Sequence, residues 1–116
     1  MLKLIVLSSL LVISILSIEA KSECDISGIW NHSAKPAKLF VNLRKSEVTV
    51  HSHDNNTKAI GLVVIKDIEV DSSSNSWNAK MYCAAEDSFV DVQITSKSCN
   101  QLSVSLNNEE ILGLLR

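Results

Sequence analysis

Short stretches of alternating apolar and polar residues fill the chain after residue 21. In one of them Leu39 and Val41 alternate with Lys38 and Asn42, which places the apolar side chains on one face of an extended strand. The same alternation recurs over residues 25–31, 47–51, 77–83, 90–95 and 101–106. A period of two with one polar face is typical of antiparallel strands that bury one side. The chain is therefore predicted to be all-β.

Clusters of turn-forming residues separate these stretches at intervals of roughly ten residues, which favours a meander. They occupy residues 33–36, 54–56, 71–76, 86–87, 96–100 and 107–108. A sheet that closes into a barrel has no exposed edge strand. We predict a small antiparallel meander barrel of about 7–8 short strands, with a small sandwich as the alternative.

Residues 59–68 do not alternate, because they are apolar on both faces. This pattern indicates either a long, bent central strand or a strand with a bulge near Gly61. The serine-rich loop 71–76 is the segment that we expect to be most flexible.

The N-terminal residues 1–20 have the order of a secretory signal peptide. Lys3 gives a positive start, an apolar run follows, and Ala20 or Ser22 offers a small residue at which cleavage would occur. The competing interpretation is an uncleaved membrane anchor, but serines interrupt the run and it is shorter than the ~20 residues of a spanning helix. We therefore predict a secreted protein with a single domain over residues 21–116.

The charge balance excludes some partners. The 116-residue chain carries 11 basic and 13 acidic residues, for a net charge of −2. Nucleic acids and anionic membrane surfaces are bound by strongly basic proteins, so neither is an expected partner. We also expect no membrane span in the mature chain.

Three cysteines in an oxidising compartment leave one without a partner inside the chain. In a meander, Cys24 and Cys99 lie at the same end of the barrel and Cys83 lies at the opposite end. One strand of about seven residues separates Cys83 from Cys99 by roughly 23 Å, whereas a disulfide needs Cα atoms within about 7 Å. We predict a Cys24–Cys99 disulfide and a buried, reduced Cys83, with an intermolecular bridge as the rival outcome.

Histidines and carboxylates form two candidate metal sites. His51 and His53 share a strand face next to Asp54, with His32 on a neighbouring segment, but zinc normally takes three or four ligands. The row Asp67, Glu69 and Asp71 offers oxygen ligands of the kind that calcium prefers. Both patterns are also typical of solvated strand ends, and we predict no metal site.

Catalytic signatures are absent from the sequence. Glu86 and Asp87 are adjacent in a turn, where their carboxylates need not converge for acid–base catalysis. The chain has neither a Gly-x-Ser-x-Gly elbow nor a glycine-rich phosphate loop. We predict that the protein is not an enzyme and has no cofactor.

Two N-glycosylation sequons are present, at Asn31-His32-Ser33 and at Asn55-Asn56-Thr57. Both fall at predicted strand ends or turns, where a glycan would project into water. We predict that Asn31 and Asn55 are acceptor sites.

Two features at the ends of the domain indicate a family resemblance. Gly28-Ile29-Trp30 opens the first strand and Arg116 closes the last one. This arrangement resembles the lipocalin-like (calycin) barrels. The resemblance implies that the Trp30 indole packs over the barrel floor and that Arg116 lies across it, a cation–π contact worth about 0.5–2 kcal/mol.

Further positions are similar to those of small secreted bacterial lipocalin-like domains of unknown function. These are the Gly61-Leu62-Val63-Val64-Ile65 stretch, Trp77, and the Gly113-Leu114-Leu115-Arg116 terminus, and the opening from Cys24 to Trp30 also looks avidin-like. The chain is shorter than ordinary lipocalins and lacks their C-terminal helix. With 4% aromatic residues, it also lacks the aromatic ring that avidins use for their ligand.

The leading functional hypothesis is a secreted, non-enzymatic lipocalin-like protein that binds a small apolar ligand inside the barrel, in contact with Trp30, Trp77 and Met81. The alternative is a secreted interaction or structural protein that uses the barrel as a scaffold, with loops that meet a protein partner. An internal void of roughly 300 Å³ or more would favour the ligand, and a filled core would favour the scaffold.

Overall fold

Eight antiparallel strands form a closed barrel in the computed structural model, which describes residues 24–73 and 75–116. The predicted signal peptide and its cleavage sites lie outside the described residues. The strands are β1 (Gly28–His32), β2 (Ala37–Asn42), β3 (Glu47–His53), β4 (Val63–Val70), β5 (Ser76–Cys83), β6 (Ser88–Ser98), β7 (Gln101–Leu106) and β8 (Glu109–Leu115). Each strand pairs with its neighbours in chain order and β8 pairs with β1, so the predicted meander barrel is confirmed. A closed antiparallel barrel of this kind is consistent with a lipocalin-like barrel.

The alternation of the sequence produces the barrel core. Inward side chains such as Leu39, Val41, Val92 and Ile94 are buried, and the outward residues between them are half-buried or exposed. The alternation of Leu39 and Val41 predicts that Leu43 also points inward, but Leu43 is exposed, because it lies in the turn between β2 and β3.

The interpretation of residues 59–68 as one strand is wrong. Residues Thr57–Ala59 form a single 3₁₀ turn in which Ala59 is buried. The chain then turns at Gly61, whose φ of +90° is a backbone conformation that glycine adopts readily. Strand β4 begins only at Val63. The segment before it remains near β3, because Val50 N–H donates to the Leu62 carbonyl and Gly61 N–H donates to the Val50 carbonyl.

Strand β4 has two irregularities, and the first lies close to the predicted bulge near Gly61. Against β3 the register shifts between the pairs Thr49–Val63 and Val48–Ile65. Pairing with β5 shifts between Lys66 and Glu69, and Asp67 has a positive φ of 55°. The extra residue lets Ile65 and Ile68, three positions apart, both enter the core.

Alternate turns define two ends of the barrel. One end, which we call the closed end, contains the N-terminal segment 24–27, Arg116 and the turns 43–46, 71–75 and 99–100. The other end, which we call the mouth end, contains the turns 33–36, 54–62, 84–87 and 107–108.

The disulfide lies at the closed end. Cys24 and Cys99 are bonded across 75 residues of sequence, with their Cα atoms 5.2 Å apart, and Cys83 is unbonded and half-buried. The predicted pairing is confirmed, but the predicted burial of Cys83 is not, because this residue near the end of β5 keeps part of its surface accessible. A bond that closes so long a loop stabilises a fold by about 2–4 kcal/mol.

Arg116 is the second feature that joins separate segments at the closed end of the barrel. Its guanidinium carbon lies 4.1 Å from the centroid of a Trp30 ring, which confirms the predicted cation–π contact. The same guanidinium donates hydrogen bonds to three backbone carbonyls, those of Asp25, Ser27 and Cys99. Beneath it, Trp30 Nε1–H donates to the Ile26 carbonyl at 2.9 Å. One side chain therefore joins the N-terminal segment, the β6–β7 turn and the core.

We predict that Arg116→Ala lowers the free energy of unfolding by about 1–2 kcal/mol, because the cation–π contact and hydrogen bonds to the three carbonyls are lost. Urea unfolding of the oxidised protein measures this change. Lys58→Ala, which removes an exposed cation elsewhere, serves as the control. An unchanged urea midpoint for Arg116→Ala would contradict the prediction.

Candidate functional site

Side chains fill the part of the barrel interior that surrounds Trp30. Trp30 is 0% exposed, and the other side chains with less than 2% exposure are Ile26, Ile65, Leu102, Leu114, Val41, Val48 and Val104. A void large enough for water would leave accessible surface on the side chains that line it. The surroundings of Trp30 are therefore packed with protein atoms, and Trp30 offers no surface to a ligand in this conformation.

The other two predicted ligand residues remain partly accessible. Trp77 and Met81 are half-buried and pack against the core, as do Val90 and Leu106. Met81, Val90 and Leu106 lie toward the mouth end, whereas Trp77 is the second residue of β5 and lies near the closed end. The structure therefore does not place Trp30, Trp77 and Met81 around one internal space.

Two histidines hold the loops of the mouth end. His32 Nδ1 accepts hydrogen bonds from the backbone N–H groups of Ala34 and Lys35, at 3.0 and 3.2 Å. His53 Nδ1 accepts from the N–H of Asn55. Burial lowers the pKa of His32, and the neighbouring charges of Lys35 and His53 lower it further. His51 lies on the exposed surface of β3.

The histidine and carboxylate clusters do not form a metal centre. Across residues 24–73 and 75–116, no three His, Cys, Asp or Glu side chains converge as a metal site would require. The Nδ1 atoms of His32 and His53 are already used as acceptors for backbone N–H groups.

The residues of the predicted acidic row, Asp67, Glu69 and Asp71, lie in two separate parts of the surface. Asp67 and Glu69 line an outer groove of about 400 Å³, together with Asp91 and Lys80. We call this the acidic groove. Asp71 instead holds the β4–β5 loop, where hydrogen bonds from Ser72, Ser76 and Gln93 lower the pKa of its carboxyl.

Lys80 restrains one side of the acidic groove. Its Nζ lies 2.8 Å from an Asp91 carboxylate oxygen, directly across the β5–β6 pair. The hydrogen bond and charge of Asp91 raise the pKa of Lys80. Because one carboxylate is already paired with this cation, the groove has two remaining carboxylates from Asp67 and Glu69.

The outer surface near Phe89 contains contacts that the sequence did not suggest. Lys66 Nζ lies 4.2 Å from the centroid of the Phe89 ring, and Tyr82 packs edge-on against the same ring. Tyr82 also donates to Asp87, and this bond raises the pKa of the phenol. Glu86 and Asp87 lie in the β5–β6 turn, as predicted.

Both sequon asparagines are exposed and lie toward the mouth end. Asn31 is within β1, between Lys38 on β2 and Leu115 on β8. Asn55 lies in the turn after β3, ahead of the 3₁₀ helix. The two sites therefore differ in backbone setting: one is in a paired strand and the other is in a turn.

Comparison with protein-family models, curated proteins and solved structures finds no significant match to this chain. Among the described residues, no helix is both long enough and apolar enough to cross a membrane.

We predict that the free energy of unfolding falls as the pH drops from about 6.5 toward the lower folded-state pKa of His32. Because its folded-state pKa is lowered, the unfolded chain binds more protons in this window, and acid therefore favours unfolding. His32→Asn keeps a side-chain acceptor for the loop and removes the titrating group, so its stability should depend less on pH. Urea unfolding at a series of pH values measures this.

His51→Asn is the matched control, because it removes an exposed histidine from the neighbouring part of β3. This control should retain the pH dependence of the wild type. Coincident pH profiles for wild type and His32→Asn would show that His32 does not carry the effect.

Proposed function

We propose that the chain is a secreted, non-enzymatic, lipocalin-like interaction protein. In this proposal the domain over residues 21–116 is a rigid scaffold, and a partner binds its outer surface or its loops. The Gly28-x-Trp30 start and the Arg116 contact support the lipocalin-like assignment. The signal-like N-terminus and the Cys24–Cys99 disulfide support secretion, because disulfides persist in oxidising compartments.

The filled barrel interior is the observation that carries the proposal. Eight core side chains, Trp30 among them, are less than 2% exposed. Small eight-stranded barrels hold either packed side chains or one small ligand. Because side chains already fill the interior around Trp30, the surfaces available for binding are the outer grooves and the loops at both ends.

A small apolar ligand is the second candidate, and the half-buried residues near the mouth end favour it. Met81, Val90 and Leu106 pack against the core while keeping accessible surface. A ligand would contact these residues, with Trp77 closer to the opposite end of β5. Contact with Trp30 would require core side chains to move.

We predict that native mass spectrometry of the protein, purified from its source without organic solvent, gives the mass of the polypeptide and any glycans alone. The packed core leaves little room for a retained molecule. A reproducible additional mass of a small molecule that Met81→Ser abolishes, and that Phe40→Ser and the exposed-site variant Val70→Ser leave in place, would contradict the scaffold proposal and favour a ligand inside the barrel. An additional mass that only Phe40→Ser abolishes would place the molecule on the outside of the barrel and leave the scaffold proposal intact.

We predict that at least Asn55 is glycosylated when the chain is secreted from a eukaryotic cell. Its exposed position in a turn lets a glycan project into water, and Asn31 is the second acceptor. Mass measurement before and after glycosidase treatment tests this, with Asn55→Gln and Asn31→Gln assigning each site. A mass that glycosidase leaves unchanged would remove the prediction.

A further inference from the structure

An apolar groove of about 290 Å³ lies on the outside of the barrel near the closed end. It is lined by Ser27, Phe40, Val41, Asn42, Leu43 and Arg44, and we call it the Phe40 groove. Phe40 and Leu43 are 37% and 38% exposed, and Ile29, which pairs with Phe40 across β1 and β2, is 45% exposed. Contiguous exposed apolar side chains on a soluble domain mark binding surfaces.

Basic residues lie beside this groove. The chain contains no Asp or Glu between Ile26 and Ser46, and Arg44 and Lys45 lie in the β2–β3 turn at the closed end. Arg44 belongs to the groove wall, and the ion pairs found among the described residues do not include it. A guanidinium that is free in this way can receive an anionic group in a two-point hydrogen-bonded contact.

Two carboxylates lie at the margins of the groove. Glu47 pairs with Asn42 across β2 and β3, and the Asp25 carboxylate accepts hydrogen bonds from Ser27. Neither residue lines the groove itself. The groove wall therefore has one cation and no anion.

The acidic groove has the reverse charge. It is formed by β4, β5 and β6 together with Ser46, which lies two residues after Arg44 in the β2–β3 turn. Three carboxylates, Asp67, Glu69 and Asp91, line that groove with the single cation Lys80. The small net charge of −2 thus conceals two surfaces of opposite sign. An anion would be attracted to the Phe40 groove and repelled from the acidic groove.

We propose that the Phe40 groove binds a small anionic amphiphile. The apolar body of the ligand lies against Phe40, Leu43 and the nearby Ile29, and its carboxylate, sulfonate or phosphate head group lies beside Arg44. The groove is at the lower end of the roughly 300–1,000 Å³ range of ligand pockets, so it fits a small molecule. This site is separate from the barrel interior and does not depend on whether the protein has a macromolecular partner.

Titration with anilinonaphthalene sulfonate, an anionic aromatic probe whose fluorescence rises in apolar surroundings, tests the proposal. The purified, oxidised protein should bind the probe in a saturable manner. Phe40→Ser and Arg44→Gln should each weaken binding by at least about tenfold, which corresponds to about 1.4 kcal/mol. Added salt should weaken binding to the wild type more than to Arg44→Gln, because the charge contribution is screened.

Two matched controls separate this site from general surface binding. Val70→Ser removes another exposed apolar side chain, and Lys58→Gln removes another exposed cation. Both should bind the probe like the wild type. Urea midpoints of all four variants would confirm that each one is folded before the titration is interpreted.

Amide chemical shifts recorded with decanoate, and with decanol as the uncharged counterpart, locate the site. Decanoate should shift Ile29, Phe40 and Arg44, and decanol should shift them less at the same concentration. Three results would overturn the proposal: no saturable probe binding, equal weakening in the controls, or shifts confined to Met81, Val90 and Leu106. The last of these results would place the ligand at the mouth of the barrel.

Discussion

The contact of Arg116 with Trp30 is the interaction on which the barrel closure depends. The β1–β8 seam contains only two paired positions, Asn31 with Leu115 and His32 with Leu114, and one further backbone bond from Ser33 to Gly113. By comparison, β5 and β6 pair over the full length of β5, from Ser76 to Cys83. A seam this short needs support from outside the ladder. Arg116 and the Cys24–Cys99 bond provide it at the closed end, where both connect the N-terminal segment to the β6–β7 turn.

The closure also limits where the protein can bind anything. Because Trp30 lies beneath Arg116 and is fully buried, its indole has no surface for a ligand. Accessible apolar surface remains near the mouth end, at Met81 and Leu106, and on the outside of the barrel at Phe40. The acidic groove and the Phe40 groove adjoin the β2–β3 turn, where Ser46 lines the first and Leu43 and Arg44 line the second, and the charges that line them differ in sign.

The sequence pattern correctly predicted those features of the fold that follow from a single physical rule. Period-two alternation predicted six of the eight strands, all except β4 and β8, and the alternating strand directions of a meander predicted the Cys24–Cys99 bond. A bulge was predicted near Gly61, and β4 does shift register close by, between Val63 and Ile65. The second shift, between Lys66 and Glu69, was missed, although Ile65 and Ile68, apolar residues three positions apart, were an available signal. The acidic groove could not be predicted, because it depends on how the outward side chains of β4, β5 and β6 line up across two strand pairs in the folded sheet. The Phe40 groove likewise depends on the pairing of Ile29 with Phe40.

Residue-resolved amide hydrogen exchange of wild type and Arg116→Lys tests the closure most directly. Lysine keeps the charge but lacks the planar fork that reaches the carbonyls of Asp25, Ser27 and Cys99. If Arg116 holds the seam, the Ser33 amide, which donates to Gly113, should lose protection in the variant while amides of β5 and β6 keep theirs. Unchanged protection at Ser33, or an equal loss in β5 and β6, would contradict the account.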